Sequence, residues 1–278
     1  MSSGSRTAVV MAIIGNAGLT VLKFGRAVIS QSPSMMNEAI HSFMDTANQM
    51  FLLFGLRAAT RGPDQLYAFG HGQKKYLWNL WSAIGLFSIG CGLGLAHAWH
   101  AWMQLGEETL HRPLLLPMLG SVDVVWMSLI VLVIALVVEL VVLRLAWREF
   151  TRQAQAEGHD RLIKYLFQSN DPTLLAVLLE DSIAVFGVLL AITGIVLTRL
   201  TGNGIWDVSF SIMIALVLGV AAVILGAINM RFLTDVRDTK AEAVFADVVL
   251  SNREIERYHD LRTMVIDCLL YTSDAADE

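Results

Sequence analysis

Charged residues are scarce in this sequence of 278 residues, at 16% of the total, whereas water-soluble domains average about 25%. The deficit argues against an ordinary soluble domain and favours a chain that lies largely in lipid. Cysteine is also rare: Cys91 lies inside an apolar run and Cys268 near the end, so a disulfide framework is excluded. Basic residues are not interleaved with aromatic residues, which leaves nucleic-acid binding without support.

Long apolar runs are what the sequence does contain. About 20 residues at a rise of about 1.5 Å cross a hydrocarbon core of about 30 Å. In lipid each segment must satisfy its own backbone hydrogen bonds, and the alternating pattern of a membrane barrel is absent, so the runs indicate helices. We predict an all-α membrane protein whose transmembrane helices cover residues 8–30, 34–58, 76–103, 119–146, 173–199 and 205–230.

Lysine and arginine are unevenly distributed between the two sides that six crossings would create. Most of the 20 basic residues flank the side on which both termini lie. The opposite flanks hold Lys23, Arg26, Arg112 and Arg199. Because basic loops are retained in the cytoplasm, we predict that both termini are cytoplasmic.

A fall in hydropathy at about residue 233 divides the chain. Residues 1–232 are predicted to form the transmembrane domain. Residues 233–266 read as helices followed by a strand-like alternation, HDLRTMVI, at the start of a cytoplasmic domain. The last residues, 267–278, contain CLLYTSDAADE, which resembles translated adaptor sequence, so we expect a non-native tail and a truncated cytoplasmic domain.

Ionisable side chains interrupt the apolar runs. On the second helix, His41 and Asp45 are spaced four residues apart and therefore share a face. On the fifth helix, Glu180 and Asp181 form an acidic pair of which at most one member faces the site squarely. Zinc accepts imidazole nitrogen and carboxylate oxygen and prefers four ligands, and intramembrane charges are functional by default. We predict a divalent-metal site here, while Glu139 on the fourth helix either lines the cavity or pairs with a helix-flanking arginine.

A membrane-embedded metalloenzyme, with a di-iron or zinc centre, is the alternative interpretation. Glu38 and His41 form an E-x-x-H pair, the arrangement used in di-iron helical bundles. Such a site needs a second pair that faces the first. The pairs with this spacing fall in an external loop and in the cytoplasmic tail: Glu108 with His111, and Glu256 with His259. The H-E-x-x-H motif of zinc proteases is absent, so an enzyme is the weaker interpretation.

Two stretches resemble a known family. SMMNEAIHSFMDTANQ (34–49) and YAFGHGQKKYLWNL (67–80) are similar to the cation diffusion facilitator family of divalent-metal/proton antiporters, over about residues 8–266. The resemblance implies six transmembrane helices, a transport site between helices two and five, and a ferredoxin-like α/β cytoplasmic domain that dimerises. The expected fold class is therefore a six-helix all-α membrane protein followed by the truncated start of that domain.

The resemblance also implies which residues bind the transported metal. They are His41 and Asp45 on helix two and Asp181 on helix five. The family commonly places a His or Asp four residues before that aspartate, where this chain has Val177. We expect Glu180 to supply the fourth ligand. The alternatives are Asn37, Glu38 and a water molecule.

An accessory metal site is implied in the loop between helices two and three. Asp64 and His71 match family positions for it, but Tyr67 stands where a third ligand, His, often occurs. Two ligands would hold a metal weakly. The alternative is that Gly70 and Gly72 shape a turn that His71 caps.

The sequence therefore predicts a secondary active transporter and not an enzyme. We expect efflux of Zn2+ in exchange for protons by alternating access; a carboxylate-rich site also tolerates harder ions, so Mn2+, Fe2+, Co2+ and Cd2+ are further candidates. The metal is the substrate, and neither catalytic residues nor a resident cofactor are expected. The expected setting is a bacterial inner membrane, and the expected partners are the metal ion, protons, the lipid bilayer and a second copy of the chain.

Overall fold

A computed structural model describes residues 3–68, 70–105, 124–156, 172–234, 239–251 and residue 263. Every regular element within these ranges is a helix. In chain order the helices are α1 (Ser3–Ser30), α2 (Pro33–Ala59), α3 (Lys74–Met103), α4 (Val124–Ala156), α5 (Pro172–Thr201), α6 (Ile205–Leu233) and α7 (Thr239–Ser251). The predicted strand at the end of residues 233–266 and the tail 267–278 lie outside the described residues, apart from Thr263.

Four of these helices are long and apolar enough to cross a membrane. The segments are Lys74–Met103, Val125–Arg152, Ala176–Thr201 and Ile205–Leu233. They lie in α3 to α6 and establish an all-helical membrane protein as far as the structure describes it. Helix α2 carries a polar stripe, formed by Asn37, His41 and Asp45, that lowers its hydropathy. The described side chains of α1 begin at Asn16. The spans predicted for α1 and α2 therefore stay predictions.

The turn between α1 and α2 is set by three consecutive residues, Gln31, Ser32 and Pro33. Gln31 adopts a φ of 53°, the left-handed conformation that lets the chain reverse direction. The Ser32 hydroxyl then accepts a hydrogen bond from the backbone N–H of Met35 at 3.2 Å, which caps α2. Pro33 occupies the first helical position, where its missing N–H costs nothing. These residues fix where the polar stripe of α2 begins.

Helix α3 changes its winding in the middle of the membrane segment. Residues Leu86–Leu93 form a π-helix between the α-helical segments Lys74–Gly85 and Gly94–Met103. The segment packs closely against α6: a Cβ added at Gly219 would lie 2.8 Å from Cys91 Sγ. Glycine here allows α3 and α6 to approach each other.

Helix α4 extends further than the sequence predicted. We placed its end at residue 146, near the first basic residues, but the helix continues to Ala156. The reason is a small apolar cluster in which Phe150 and Ala154 of α4 are buried against Leu178 of α5. The i, i+4 spacing of Phe150 and Ala154 puts both on the side that faces α5.

Packing separates the described residues into two compact units. The first lies within residues 1–50 and 82–225, and the second lies within residues 51–81 and 226–278. The core of the first unit draws on all six helices from α1 to α6. Its fully buried side chains include Met35, Leu132, Val188 and Leu218. In the second unit, Tyr76 stacks on Phe232 with ring centroids 5.2 Å apart.

Candidate metal site between helices two and five

His41 and Asp45 lie one turn apart on α2 and face each other. The distance from His41 Nε2 to Asp45 Oδ2 is 3.4 Å. The other ring nitrogen of His41, Nδ1, lies 3.5 Å from Glu38 Oε1. The imidazole is therefore held between two carboxylates. His41 is buried, whereas 23% of the Asp45 side chain is exposed.

Helix α5 brings its acidic pair to the same face of α2. Asn48 of α2 donates a hydrogen bond to Glu180 Oε2, and Asp45 interacts electrostatically with both Glu180 and Asp181. Asp181 Oδ2 is buried and has no hydrogen-bond partner among the described residues. An unpartnered carboxylate oxygen deep in a membrane protein is an available ligand atom.

Gly187 sets how closely α5 approaches α2. A Cβ placed on Gly187 would lie 3.3 Å from His41 Nδ1 and would collide with Glu38 Oε1. Glycine allows the α5 backbone to pack directly on these two side chains.

The side chains are near one another but are not arranged around one point. In the part of the chain that the structure describes, no three His, Cys, Asp or Glu side chains form a group with metal-binding geometry. Val177 lies one turn before Asp181 and has no donor atom. Ligation by His41, Asp45, Glu180 and Asp181 therefore requires side-chain rotations, above all release of Glu180 from Asn48.

Two other suggested sources of a fourth ligand, Asn37 and Glu38, make hydrogen bonds in this structure. Asn37 Nδ2 donates to the backbone carbonyls of Gly94 on α3 and Ser211 on α6, at 3.3 and 2.8 Å. Glu38 is bonded to Lys23, with Oε2 at 3.0 Å from Nζ. Asn37 Oδ1, the atom through which this side chain would bind a metal, is buried without a hydrogen-bond partner among the described residues. Glu180 as the fourth ligand therefore stays a prediction.

Lys23 lies inside the protein, which corrects the assignment of this residue to an external flank. It is fully buried, and its ammonium donates three hydrogen bonds, to Glu38 Oε2 at 3.0 Å, Ser42 Oγ at 2.7 Å and Glu139 Oε1 at 2.9 Å. Glu139 therefore pairs with a lysine on α1, not with a helix-flanking arginine. We call Lys23, Glu38 and Glu139 the lysine network; it joins α1, α2 and α4.

The N-terminal half of α2 is fastened to α6. The backbone N–H and the hydroxyl of Ser34 both donate to Asp207 Oδ1, and one turn later Asn37 Nδ2 donates to the Ser211 hydroxyl at 2.9 Å. Ser34, Asn37 and Ser211 are all buried. These hydrogen bonds close the start of α2, whereas 23% of the Asp45 side chain is exposed.

In the loop between α2 and α3, Asp64 and His71 bind each other. His71 Nε2 lies 2.9 Å from Asp64 Oδ2, while Asp64 Oδ1 accepts the backbone N–H groups of Leu66 and Tyr67 at 2.8 and 2.9 Å. The hydrogen bond from His71, together with the two backbone N–H groups, lowers the pKa of Asp64 below its ordinary value. Gly70 has a φ of 78°, which only glycine adopts easily. The arrangement has the features of a turn, and the accessory metal role stays a prediction.

Replacing Asp64 by alanine is expected to speed hydrogen–deuterium exchange at the amides of Leu66 and Tyr67, because both lose their acceptor. Since the pKa of Asp64 is lowered, the turn keeps this support above the ordinary carboxyl pKa of about 4 and loses it as the pH falls through the lowered folded-state value. Gln65→Ala, a change at the exposed neighbour, is the control. Unchanged exchange in Asp64→Ala would contradict the turn; slower exchange of the wild type on adding ZnCl2 would favour the accessory site.

The sequence is similar to known proteins, and these comparisons identify its family. The family model for the cation efflux transmembrane domain matches residues 9–234. The chain is 33% identical, over 93% of its length, to the mitochondrial proton-coupled zinc antiporter SLC30A9 of Mus musculus. It is 32% identical, over 80% of its length, to metal tolerance protein C4 of Arabidopsis thaliana. The chain spans less than half of each relative, 43% and 45% respectively.

Membrane helices that enclose a cluster of imidazole and carboxylate groups define an integral membrane protein with a candidate cation site. The chain belongs to the cation diffusion facilitator family, which is a family of transporters and not of enzymes. The metalloenzyme alternative is thereby set aside. The two further E-x-x-H pairs, Glu108 with His111 and Glu256 with His259, lie outside the described residues.

Proposed function

We propose that this chain exports a divalent metal cation, with Zn2+ as the preferred cargo, in exchange for protons. The observation that carries the proposal is the meeting of His41 and Asp45 on α2 with Glu180 and Asp181 on α5. Two relatives, a proton-coupled zinc antiporter and a metal tolerance protein, support a metal substrate by what their names say. Mn2+, Fe2+, Co2+ and Cd2+ are the further candidates, because three carboxylates make a hard site.

In the proposed site, two ligands come from α2 and two from α5. His41 presents Nε2 on the side of Asp45, and Asp181 contributes its unpartnered Oδ2. Glu180 completes four ligands after leaving Asn48. Zinc binds such nitrogen and oxygen donors at about 2.0–2.2 Å in a tetrahedron, so side-chain rotations must bring these atoms closer together than they lie in this structure.

Protons and metal compete for the same atoms, and this competition couples their movements. Zinc requires a neutral His41 and ionised carboxylates, so protonation of the site expels the ion. Exchange of one proton for one Zn2+ would export one net positive charge, at a cost of about 2.3 kcal/mol per 100 mV of inside-negative potential. Exchange of two protons would be electroneutral.

The fastening of α2 to α6 supports alternating access. Hydrogen bonds from Ser34 to Asp207 and from Asn37 to Ser211 close the start of α2, while Asp45 is partly exposed. In the proposed topology the start of α2 is external, so this conformation faces the cytoplasm. Opening to the outside requires these buried hydrogen bonds to break, and opening and closing then alternate the side from which the site is reached.

The molecular setting is proposed with the function. It comprises six spans with both termini cytoplasmic, a bacterial inner membrane and a homodimer. Residues 1–232 form the transport domain, 233–266 begin the cytoplasmic domain, and 267–278 are a non-native tail.

The test is metal-driven proton movement in proteoliposomes. Purified protein is reconstituted with a pH-sensitive dye inside the vesicles, ZnCl2 is added outside, and zinc uptake is followed in parallel. We expect zinc entry accompanied by internal acid loss, and no response in protein-free vesicles or with MgCl2. Zinc entry with no pH change would overturn the antiport, and the absence of any metal entry would overturn transport itself.

A further inference from the structure

The lysine network contacts the candidate metal site without being part of it. Glu38 uses Oε2 for Lys23, at 3.0 Å, and presents Oε1 to His41 Nδ1, at 3.5 Å. Lys23 is thus linked to His41 through one carboxylate. The three N–H donors of its ammonium meet three acceptors, so the amine has its full set of partners and is held in one position.

We propose that Lys23 is a positioning residue that sets the metal preference of the transport site. It does so by holding Glu38 against Nδ1 of His41 and by keeping the carboxylates of Glu38 and Glu139 away from the cation. The inference rests on the proposed function, since it concerns the site formed by His41, Asp45 and the acidic pair of α5.

The first part of this role is the orientation of His41. A metal-binding imidazole uses one ring nitrogen for the metal, and a partner on the other nitrogen fixes the tautomer and the ring plane. Glu38 is that partner for Nδ1, which leaves Nε2 for the side where Asp45 lies. Because Glu38 is itself fixed by Lys23, the orientation of the ring depends on a residue of α1.

The second part is the exclusion of two hard ligands. Glu38 and Glu139 are the two carboxylates that Lys23 holds, at 3.0 and 2.9 Å. One oxygen of Glu139, Oε2, is buried without a hydrogen-bond partner in the described part of the chain. Without Lys23, these buried carboxylates lack a counter-ion, and a proton and a divalent cation compete to neutralise them. Additional carboxylate ligands favour Mn2+ over softer ions such as Cd2+. Lys23 therefore limits the number of carboxylate ligands and so favours softer ions such as Cd2+ over Mn2+.

The alternative is that the network only ties α1, α2 and α4 together. A purely structural tie predicts that its loss weakens the fold and lowers transport of every metal equally. The proposed role predicts a change in the ratio between metals. The ratio of Mn2+ to Cd2+ transport distinguishes the two.

The main experiment compares Lys23→Met/Glu139→Gln with Glu139→Gln in proteoliposomes loaded in turn with MnCl2 and CdCl2. The double variant has the same net charge in the network as the wild type, but it releases Glu38; the single variant keeps Glu38 bound to Lys23. We expect the Mn2+ to Cd2+ ratio to rise about tenfold in the double variant and to stay at the wild-type value in Glu139→Gln. Lys23→Arg/Glu139→Gln, which restores a permanent cation, is expected to restore the wild-type ratio.

If the double variant fails to fold, Glu38→Gln still tests the proposal. In the Glu38→Gln protein, Lys23 keeps Glu139 and Ser42 as hydrogen-bond partners. We expect its zinc Kd, measured by calorimetry on the detergent-purified protein, to rise about 10- to 100-fold while the Mn2+ to Cd2+ ratio does not rise. A folded double variant with the wild-type ratio, or a wild-type zinc Kd in Glu38→Gln, overturns the role of Lys23. Absence of transport by the wild type would instead overturn the proposed function.

Discussion

Replacing Asp45 by alanine is expected to reduce zinc-driven proton flux to the level of protein-free vesicles. Asp45 supplies the carboxylate next to His41 Nε2, and the next turn of α2 offers only the neutral amides of Asn48 and Gln49. Loss of a group that merely supports a ligand costs about 10- to 100-fold in metal affinity. Loss of a ligand itself therefore costs at least the upper end of that range. The measurement is the initial rate of pH change after a zinc pulse.

A matched carboxylate elsewhere on the membrane helices serves as the control for Asp45→Ala. Glu149 lies on the exposed end of α4 and pairs with Arg152 at 2.8 Å. Exposed ion pairs contribute about 0–1 kcal/mol, so Glu149→Gln is expected to transport zinc at close to the wild-type rate. Zinc binding by the purified Asp45→Ala protein is measured as well. A folded Asp45→Ala variant with wild-type zinc binding and flux would show that the ion binds elsewhere.

The stripe on α2 could be predicted from the sequence because it depends only on helical periodicity. A spacing of four residues places His41 and Asp45 on one face whatever the rest of the chain does. The acidic pair of α5 was also recognisable, since carboxylates are rare within apolar runs. Which atoms of that pair are free could not be predicted, because the bond from Asn48 to Glu180 depends on how α2 and α5 pack.

Lys23 shows why charge counting along the sequence misplaces some residues. It lies seven residues before the end of α1, close enough for a lysine to be read as reaching the membrane surface. Its hydrogen-bond partners are 15, 19 and 116 positions away in sequence. A local pattern contains no information about such distant pairs, so burial of the amine emerged only from the packing of α1 against α2 and α4.

The end of α4 could not be located for a related reason. Basic residues at 144, 148 and 152 mark the boundary of the membrane, and the sequence reading stopped the helix there. A membrane boundary does not end a helix when an apolar face continues beyond it. Phe150 and Ala154 continue that face and pack on Leu178, so α4 extends beyond the apolar run.

Replacing Gly187 by alanine is expected to impair both folding and transport. The added methyl group collides with Glu38 Oε1, which cannot move aside because Lys23 holds the other oxygen of the same carboxylate. Overpacking of this kind costs about 1–3 kcal/mol. We expect a lower thermal unfolding temperature in detergent and zinc flux near background, since the same methyl group lies 3.3 Å from His41 Nδ1.

Gly18→Ala is the matched control for the glycine change. Gly18 lies on α1, and a Cβ at that position would meet nothing within 4 Å. Both substitutions gain the same helix propensity, about 1 kcal/mol, so the difference between them isolates the contact between α5 and α2. If Gly187→Ala were as stable and as active as Gly18→Ala, α5 could not approach Glu38 and His41 this closely. The meeting of the two helices, on which the proposed metal site depends, would then be wrong.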